Sequence, residues 1–319
     1  MRDRKWVVVA ATAALILTLG MPALADTRIE RDLKLQSGGK FILDTDAGSV
    51  EIVGGAGSGA RVVITSDRDD FESMYDIKFE ESPGQVEVKV DRKGTFTKWF
   101  KSSGRTKFVI EVPESTEIDI DTSGGSITAE NINAQTRLDT SGGAIRASRI
   151  GGELLADTSG GGITIEDVDG NVNADTSGGG ISITSVRGDV RADTSGGGIT
   201  VNDVTGSIDA DTSGGSIKIE EAGGPVRADS SGGPIRVSFS PGNAAGGTVS
   251  TSGGGITIEV DGSANLDIDA HSSGGSVTFD MPVTVQGQIS KTSVKGKLGS
   301  GGEMLKLRTS GGGIKIKSR

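Results

Sequence analysis

The chain contains no cysteine, which excludes a disulfide framework and a lipid anchor attached through cysteine. Its single histidine, His271, is the only residue on which a Ser-His-Asp triad could centre. Aromatic residues make up 3% of the 319 residues, whereas glycine numbers 52. In a chain without periodicity this composition would indicate disorder, so the spacing of the glycines decides the interpretation.

Long apolar runs are also missing, except near the start of the chain. Residues 6–19 form an apolar stretch behind a head of two arginines and one lysine, and Ala23 and Ala25 supply the small residues that a signal peptidase reads. The sequence therefore predicts a signal peptide over residues 1–25. The alternative is a retained membrane anchor, for which the stretch is shorter than the roughly 20 residues that span a bilayer.

The charge balance is acidic, with a formal net charge of −10. Because residues 1–25 carry three basic groups and one acidic group, the mature chain would be near −12. This charge argues against nucleic acid as a partner and is typical of a soluble exported protein. Residues 315–319 include neither an apolar tail nor a sorting motif, so we expect no integral membrane span after signal removal.

The glycines belong to a repeat of fixed length. The motif Asp-Thr/Ser-Ser-Gly-Gly recurs with a constant 18-residue period. Its copies begin at Asp121, Asp139, Asp157, Asp175, Asp193, Asp211 and Asp229. Self-similarity at a constant period is the signature of a repeat architecture, in which each unit buries its apolar face only against its neighbours.

The pattern of each copy predicts two short strands and two turns. Apolar residues alternate with polar ones from Ile181 to Ile183 and again from Val190 to Thr194, and glycines mark the corners. A third short strand would lie around Val186. Equal coils would stack their strands about 4.8 Å apart in parallel, in-register sheets. The predicted fold is therefore all-β: a right-handed parallel β-solenoid, or β-helix, with 18-residue coils.

The ends of the chain depart from the regular period. We predict an N-terminal β region over 26–120 that caps the solenoid and leads into it, and solenoid repeats over 121–319. The repeats are regular over 121–238 and irregular over 239–319, where further copies begin at Ser250, His271 and Arg308.

One string resembles a bacterial protein family. It runs Phe-Val-Ile-Glu-Val-Pro at residues 108–113 and Ile-Asp-Ile-Asp-Thr-Ser-Gly-Gly-Ser-Ile at residues 118–127. It is similar to the "putative adhesin" family of exported proteins with β-strand repeats, a family largely of unknown function. The resemblance covers most of 26–319. It implies a β-solenoid in the cell envelope and brings no catalytic residues.

The aspartates of the motif have two interpretations. Stacked carboxylates repel unless cations or hydrogen bonds compensate, and calcium prefers carboxylate oxygens. Alternatively, each aspartate forms an Asx-type turn by accepting N–H groups of the following Ser-Gly-Gly. The known calcium-roll repeat does not match, because Ile163 and Ile165 occupy its glycine and aspartate positions. We therefore prefer the turn and predict no metal site and no cofactor.

The hydroxyl residues fall into two columns. Those of the motif would point inward and cap the turns: Thr122, Thr140, Thr158, Thr176, Thr194 and Thr212. Thr128, Thr164, Ser182 and Thr200 would point outward, as in ice-binding solenoids, but Arg146 and Lys218 interrupt that column.

Few other residues suggest chemistry. Acidic residues outside the motif are scattered along exposed edges: Glu130, Glu166, Asp167, Asp203, Glu220 and Glu221. His271 takes the aspartate position of its copy, which favours a tolerated replacement over a catalytic base. Trp99, within Lys-Trp-Phe-Lys at residues 98–101, either packs in the cap or binds a glycan, a membrane surface or a protein.

Together these features predict a non-enzymatic exported protein, located in the periplasm, at the cell surface or outside the cell. It would be an adhesin-like protein or scaffold with no catalytic residues, and a surface glycan or protein would contact the Trp99 region or the repeat face. The alternative is a carbohydrate-binding or carbohydrate-cleaving β-helix of the envelope. A third possibility is assembly through an open solenoid end.

Overall fold

The computed structural model describes residues 27–94, 104–285 and 290–319. The predicted signal peptide and the segment around Trp99 lie outside the described residues. The described chain is almost entirely β-structure, with one short helix, α1 (Phe71–Met74). Its strands form two sheets of 14 and 15 strands, here called sheet A and sheet B.

Each regular copy gives one strand to each sheet. The sheet A strands are β9 (Ile127–Ile132), β11 (Ile145–Ile150), β13 (Ile163–Val168), β15 (Ile181–Val186), β17 (Ile199–Val204), β19 (Ile217–Ala222) and β21 (Ile235–Phe239). The sheet B strands are β8 (Glu117–Thr122), β10 (Thr136–Thr140), β12 (Leu154–Thr158), β14 (Val172–Thr176), β16 (Val190–Thr194), β18 (Ile208–Thr212) and β20 (Val226–Ser230).

Neighbouring coils pair in parallel, and each residue lies opposite its equivalent in the next copy of the motif. Asp157 lies opposite Asp175 in sheet B, and Ile163 lies opposite Ile181 in sheet A. The isoleucine, valine and alanine columns of both sheets face each other and are buried, so one apolar core runs through all the coils. The predicted parallel β-solenoid with 18-residue coils is confirmed.

Sheet A strands bend at a residue with left-handed backbone. In β13 two outward residues, Glu166 and Asp167, precede the inward Val168, which breaks the alternation. Asp167 has φ +56°, and five further coils repeat this conformation at Asn131, Arg149, Ser185, Asp203 and Glu221. Such a residue costs about 1 kcal/mol or more. The bend takes the place of the third strand expected around Val186, because that residue ends β15.

The inward threonines join successive coils at the Gly-Gly turns. Thr158 Oγ1 donates to the carbonyl oxygen of Gly143 at 2.8 Å and accepts the N–H of Gly161 at 3.3 Å. The same pair of bonds recurs at Thr140, Thr176, Thr194 and Thr212. The predicted inward, turn-capping threonine column is confirmed.

The N-terminal strands stack partly out of chain order. They are β1 (Thr27–Leu33), β2 (Lys40–Thr45), β3 (Ser49–Gly55), β4 (Ala60–Ser66), β5 (Tyr75–Ser82), β6 (Gln85–Arg92) and β7 (Thr106–Pro113). β2 and β3 form a coil between β6/β7 and β8/β9. Antiparallel pairing of β5 with β6, β4 with β7 and β1 with β4 then ends both sheets. Four aromatic side chains are buried here: Phe41, Phe71, Tyr75 and Phe108. The predicted irregular β cap is confirmed.

The C-terminal strands also leave chain order. They are β22 (Gly247–Thr251), β23 (Ile256–Val260), β24 (Leu266–Ser272), β25 (Val277–Phe279), β26 (Thr284–Val285), β27 (Ser293–Leu298), β28 (Glu303–Thr309) and β29 (Ile314–Ser318). The last coil, β28 with β29, lies between β22/β23 and β24/β25. Its cations pair with carboxylates on both sides: Arg308 with Asp269 at 2.7 Å, Lys315 with Asp280 at 2.7 Å, and Lys317 with Glu259 at 2.8 Å.

The two glycines of the motif face different surroundings. A Cβ atom on Gly143 would lie 2.1 Å from the carbonyl oxygen of Gly125 in the neighbouring coil. A Cβ atom on Gly142 would meet nothing nearer than 3.8 Å. Close stacking of the coils therefore requires glycine at the second position, whereas the first position of this copy has room for a methyl group.

Gly143→Ala is expected to lower the free energy of unfolding by about 2 kcal/mol or more, because the methyl group forces two backbones apart. Gly142→Ala is the matched control and should be neutral or slightly stabilising, since it restricts the unfolded chain without a clash. Chemical denaturation of the two variants measures the difference. Equal stability of the two variants would contradict the proposed backbone contact.

Candidate functional site

The aspartates of the motif form one column on the outer face of sheet B. The register aligns Asp44, Asp121, Asp139, Asp157, Asp175, Asp193, Asp211 and Asp229. Ser250, Arg308 and His271 continue the column towards the C-terminal end. We call the eight carboxylates the aspartate column.

The Asx-turn interpretation of this column is wrong. The turn N–H groups of Gly161 and its equivalents are accepted by the neighbouring threonine hydroxyls, and the aspartates point outward from the strand. Where an aspartate has a partner, it is an arginine two residues earlier: Arg191 to Asp193 at 2.8 Å and Arg227 to Asp229 at 2.7 Å. The inward threonine caps the turn in place of the aspartate, because its hydroxyl lies within hydrogen-bond distance of the turn N–H group.

Several carboxylates of the column bind protons more readily than an isolated aspartate does. Partial burial, followed by the charge of the next aspartate, raises the pKa of Asp121, Asp139 and Asp157 above the ordinary value. Among residues 27–94, 104–285 and 290–319, no three metal-ligating side chains converge on a common point. The column is therefore a strongly acidic face in which like charges repel.

The remaining sequence candidates are dispersed over the described surface. His271 is exposed between Arg308 and Ser293 on adjacent strands, in the aspartate position as expected. Glu130 pairs with Arg149 at 3.0 Å, and Lys218 pairs with Glu220 at 2.7 Å. Trp99 lies outside the described residues.

A polar groove of about 710 Å³ follows the bend of sheet A. We call it the corner groove. The left-handed residues form one wall, and the residues two positions later form the other. Its lining mixes amides and charges of both signs: Asn131, Asn133, Arg149, Asp167, Asp169, Arg187 and Asp203. Two of the scattered acidic residues, Asp167 and Asp203, thus share one groove.

A second groove, of about 460 Å³, crosses the C-terminal half of sheet A. We call it the basic groove. One side is the outward column of hydroxyl residues that Arg146 and Lys218 interrupt. In this part of sheet A the column continues as Lys218, Arg236, Thr257, Lys315 and Thr278. Small residues line the other side: Ser216, Pro234, Gly255, Ser276 and Gly313. The sequence does not reveal this groove, because Lys315 joins the column only through the inserted last coil.

The fold defines a solenoid of stacked coils with strand caps at its N-terminal end. The family model described as Toastrack DUF4097 matches residues 42–317, and the chain belongs to this family. Comparison with curated proteins gave no match. Within the described residues, no helix is long and apolar enough to cross a bilayer.

Several solved structures are similar over nearly the whole chain. A "putative cell adhesion protein" from Clostridium sporogenes is 15% identical, with 92% of this chain and 100% of that chain covered and a TM-score of 0.26. A "putative adhesin" from Bacteroides fragilis is 12% identical, with 91% and 97% covered and a TM-score of 0.40. A "putative lipid binding protein" from Parabacteroides distasonis is 13% identical, with 91% and 96% covered and a TM-score of 0.38.

Asp157→Asn is expected to raise the melting temperature at pH 7, because it removes the repulsion of Asp157 by its neighbours Asp139 and Asp175 without breaking an ion pair. A carboxyl with a raised folded pKa stabilises the fold as the pH falls through that pKa, and this contribution is lost as the pH rises. The advantage of the variant should therefore shrink as the pH falls from 7 to about 4, where the column takes up protons.

Thermal denaturation between pH 7 and pH 4 measures this difference, and about 1 M NaCl should reduce it at pH 7 by screening. Asp169→Asn, in the corner groove, removes the same charge outside the column and serves as the control. An advantage of Asp157→Asn that persists unchanged at pH 4 would show that the new amide, not the lost charge, stabilises the fold.

Proposed function

We propose that the protein is a non-enzymatic, exported component of the cell envelope or surface, and that it acts as a rigid adhesin-like scaffold. In this proposal residues 1–25 direct export, 26–120 cap the solenoid, and 121–319 form the displayed repeats. The observation that carries the proposal is the register. It places identical outward groups at the same position of successive coils, about 4.8 Å apart, over one continuous buried core.

Such columns suit contact with repetitive partners. A polymer or a crowded surface offers the same group many times, and several weak contacts made together give a much tighter overall attachment. The backbone between the columns is held by strand pairing on both sides, so little ordering is required when a partner binds. The acidic aspartate column keeps such an elongated molecule soluble outside the cell.

The corner groove favours a second candidate, a carbohydrate-binding or carbohydrate-cleaving β-helix. Its amide and charged side chains are donors and acceptors of the kind that orient sugar hydroxyls. Cleavage would require two carboxylates across one bond. Four carboxylates line the groove: Glu114, Asp167, Asp169 and Asp203. Loss of glycan cleavage in Asp167→Asn, with stability unchanged, would favour this candidate over the scaffold.

The absence of cysteine allows a direct test of export. Ser177→Cys introduces one thiol in an exposed turn, so a membrane-impermeant maleimide should label this variant on intact cells or once the outer barrier of the envelope is opened. The wild-type chain is the unlabelled control. Ala174→Cys places a thiol in the buried core three residues earlier, and it should react only after denaturation.

Labelling is read by gel mobility and compared with a cytoplasmic protein bearing an exposed cysteine. Labelling of Ser177→Cys while the cytoplasmic marker stays unlabelled supports export. Labelling only after lysis of the cytoplasmic membrane, together with the marker, would overturn it.

A further inference from the structure

We propose that the basic groove binds a linear polyanion, a slender polymer with a negative group in each repeat unit. Acidic glycans and phosphate-linked polymers share this chemistry. The proposal rests on the proposed function to the extent that an exported scaffold encounters such polymers. The juxtaposition of Lys218, Arg236 and Lys315 beside a row of small residues is the observation behind it.

The charge of the groove is opposite to that of the molecule. The chain as a whole carries −10, and the aspartate column on sheet B presents eight carboxylates. The lining of the basic groove has three cations, several hydroxyls and no carboxylate. A cationic strip on an acidic protein attracts anions locally, while the remaining surface repels them, which restricts an anionic ligand to this strip.

The cations of the groove are available to a ligand. Arg236 makes no ion pair within the described residues, and its guanidinium can hold a phosphate or carboxylate through two parallel hydrogen bonds. Lys218 and Lys315 pair with Glu220 and Asp280, each at 2.7 Å, but about half of each of these four side chains is exposed. Exposed pairs of this kind contribute at most about 1 kcal/mol, so a ligand anion can replace the carboxylate.

The shape of the groove selects a slender ligand that lies along the rod. The column crosses five neighbouring strands in the order Lys218, Arg236, Thr257, Lys315 and Thr278. At the spacing of parallel strands, its cations span about 14 Å, with a threonine hydroxyl between Arg236 and Lys315.

The inserted last coil creates this site. Lys315 lies far beyond Arg236 in the sequence, and chain order alone would place Thr278 next to Thr257. Because β29 lies between β23 and β25, Lys315 comes two strands from Arg236 and extends the cationic strip. Gly255 and Gly313 in the facing row leave the space that a longer side chain would fill.

The test uses two fluorescent probes, an oligogalacturonate and a linear polyphosphate, with an uncharged glucan as the neutral reference. Anisotropy titrations at about 50 mM salt should show binding of at least one anionic probe, weakening steeply with salt, and no binding of the glucan. Arg236→Glu with Lys315→Glu should weaken binding about tenfold or more, because it replaces attraction by repulsion. The probe that binds distinguishes carboxylate from phosphate recognition.

The matched control is Arg146→Glu with Lys306→Glu. It changes the net charge by the same amount but acts outside both grooves, at Arg146 in a distant coil of the same column and at Lys306 on the exposed face of sheet B. It should alter binding by less than about threefold. A neutral version, Arg236→Gln with Lys315→Gln, keeps the test valid if the glutamates disturb folding, which circular dichroism and melting temperature will report.

Three results would overturn the proposal: equal loss of binding in the groove and control variants, no binding of either anionic probe, or equal binding of the glucan. A mass that rises with protein concentration, and that the groove variants abolish, would identify a second copy as the occupant instead. Vesicles with anionic headgroups that bind while both soluble polymers fail would likewise overturn it. None of these readouts depends on the maleimide test of export, so the two proposals fail separately.

Discussion

Every surface of this protein depends on the close, in-register stacking of its coils. The hydrogen bonds of parallel strands set the distance between coils, and the Gly-Gly turns must meet that distance without side chains between them. Gly143 illustrates the limit, since a single methyl group there would overlap the carbonyl oxygen of the preceding turn. Thr140 adds a buried hydroxyl that ties the same two turns together. The strand register cannot shift, because a slip of one residue would move the apolar columns out of the core.

The same register that buries identical apolar residues also lines up identical outward residues, with opposite energetic consequences. Stacked isoleucines gain contacts, whereas stacked aspartates repel, and partial burial together with this repulsion raises the pKa of Asp157. Arginines two residues earlier on the same strand relieve only part of this repulsion, as at Asp193 and Asp229. A solenoid therefore displays charge in rows, and the two sheets of this protein carry rows of different character: acidic on sheet B, hydroxyl and basic on the C-terminal half of sheet A.

Both ends of the rod abandon chain order. At the N-terminal end, antiparallel strands end both sheets, and aromatic side chains contribute to the core, which the regular coils fill with smaller apolar residues. At the C-terminal end, a coil rich in lysine and arginine inserts between two coils that carry Glu259, Asp269 and Asp280. Burial of Leu305, Leu307, Ile314 and Ile316 holds the last coil in the stack, and the opposite charges across the strands match it to these two neighbours. This insertion, more than the regular repeats, gives the surface its asymmetry.

The sequence alone determined the coil: its repeat length, its two strands, its inward threonines and its aspartate column all follow from a strict period and an alternating pattern. It could not determine which hydroxyl or carboxylate caps the turn, because both are adjacent in the motif and only the geometry places Thr158 over Gly161. It also could not reveal the order of the irregular coils, since Lys315 and Thr257 are far apart in the chain. Periodicity specifies local structure and register between like units. Where the units differ, packing and charge between distant segments decide which coils become neighbours.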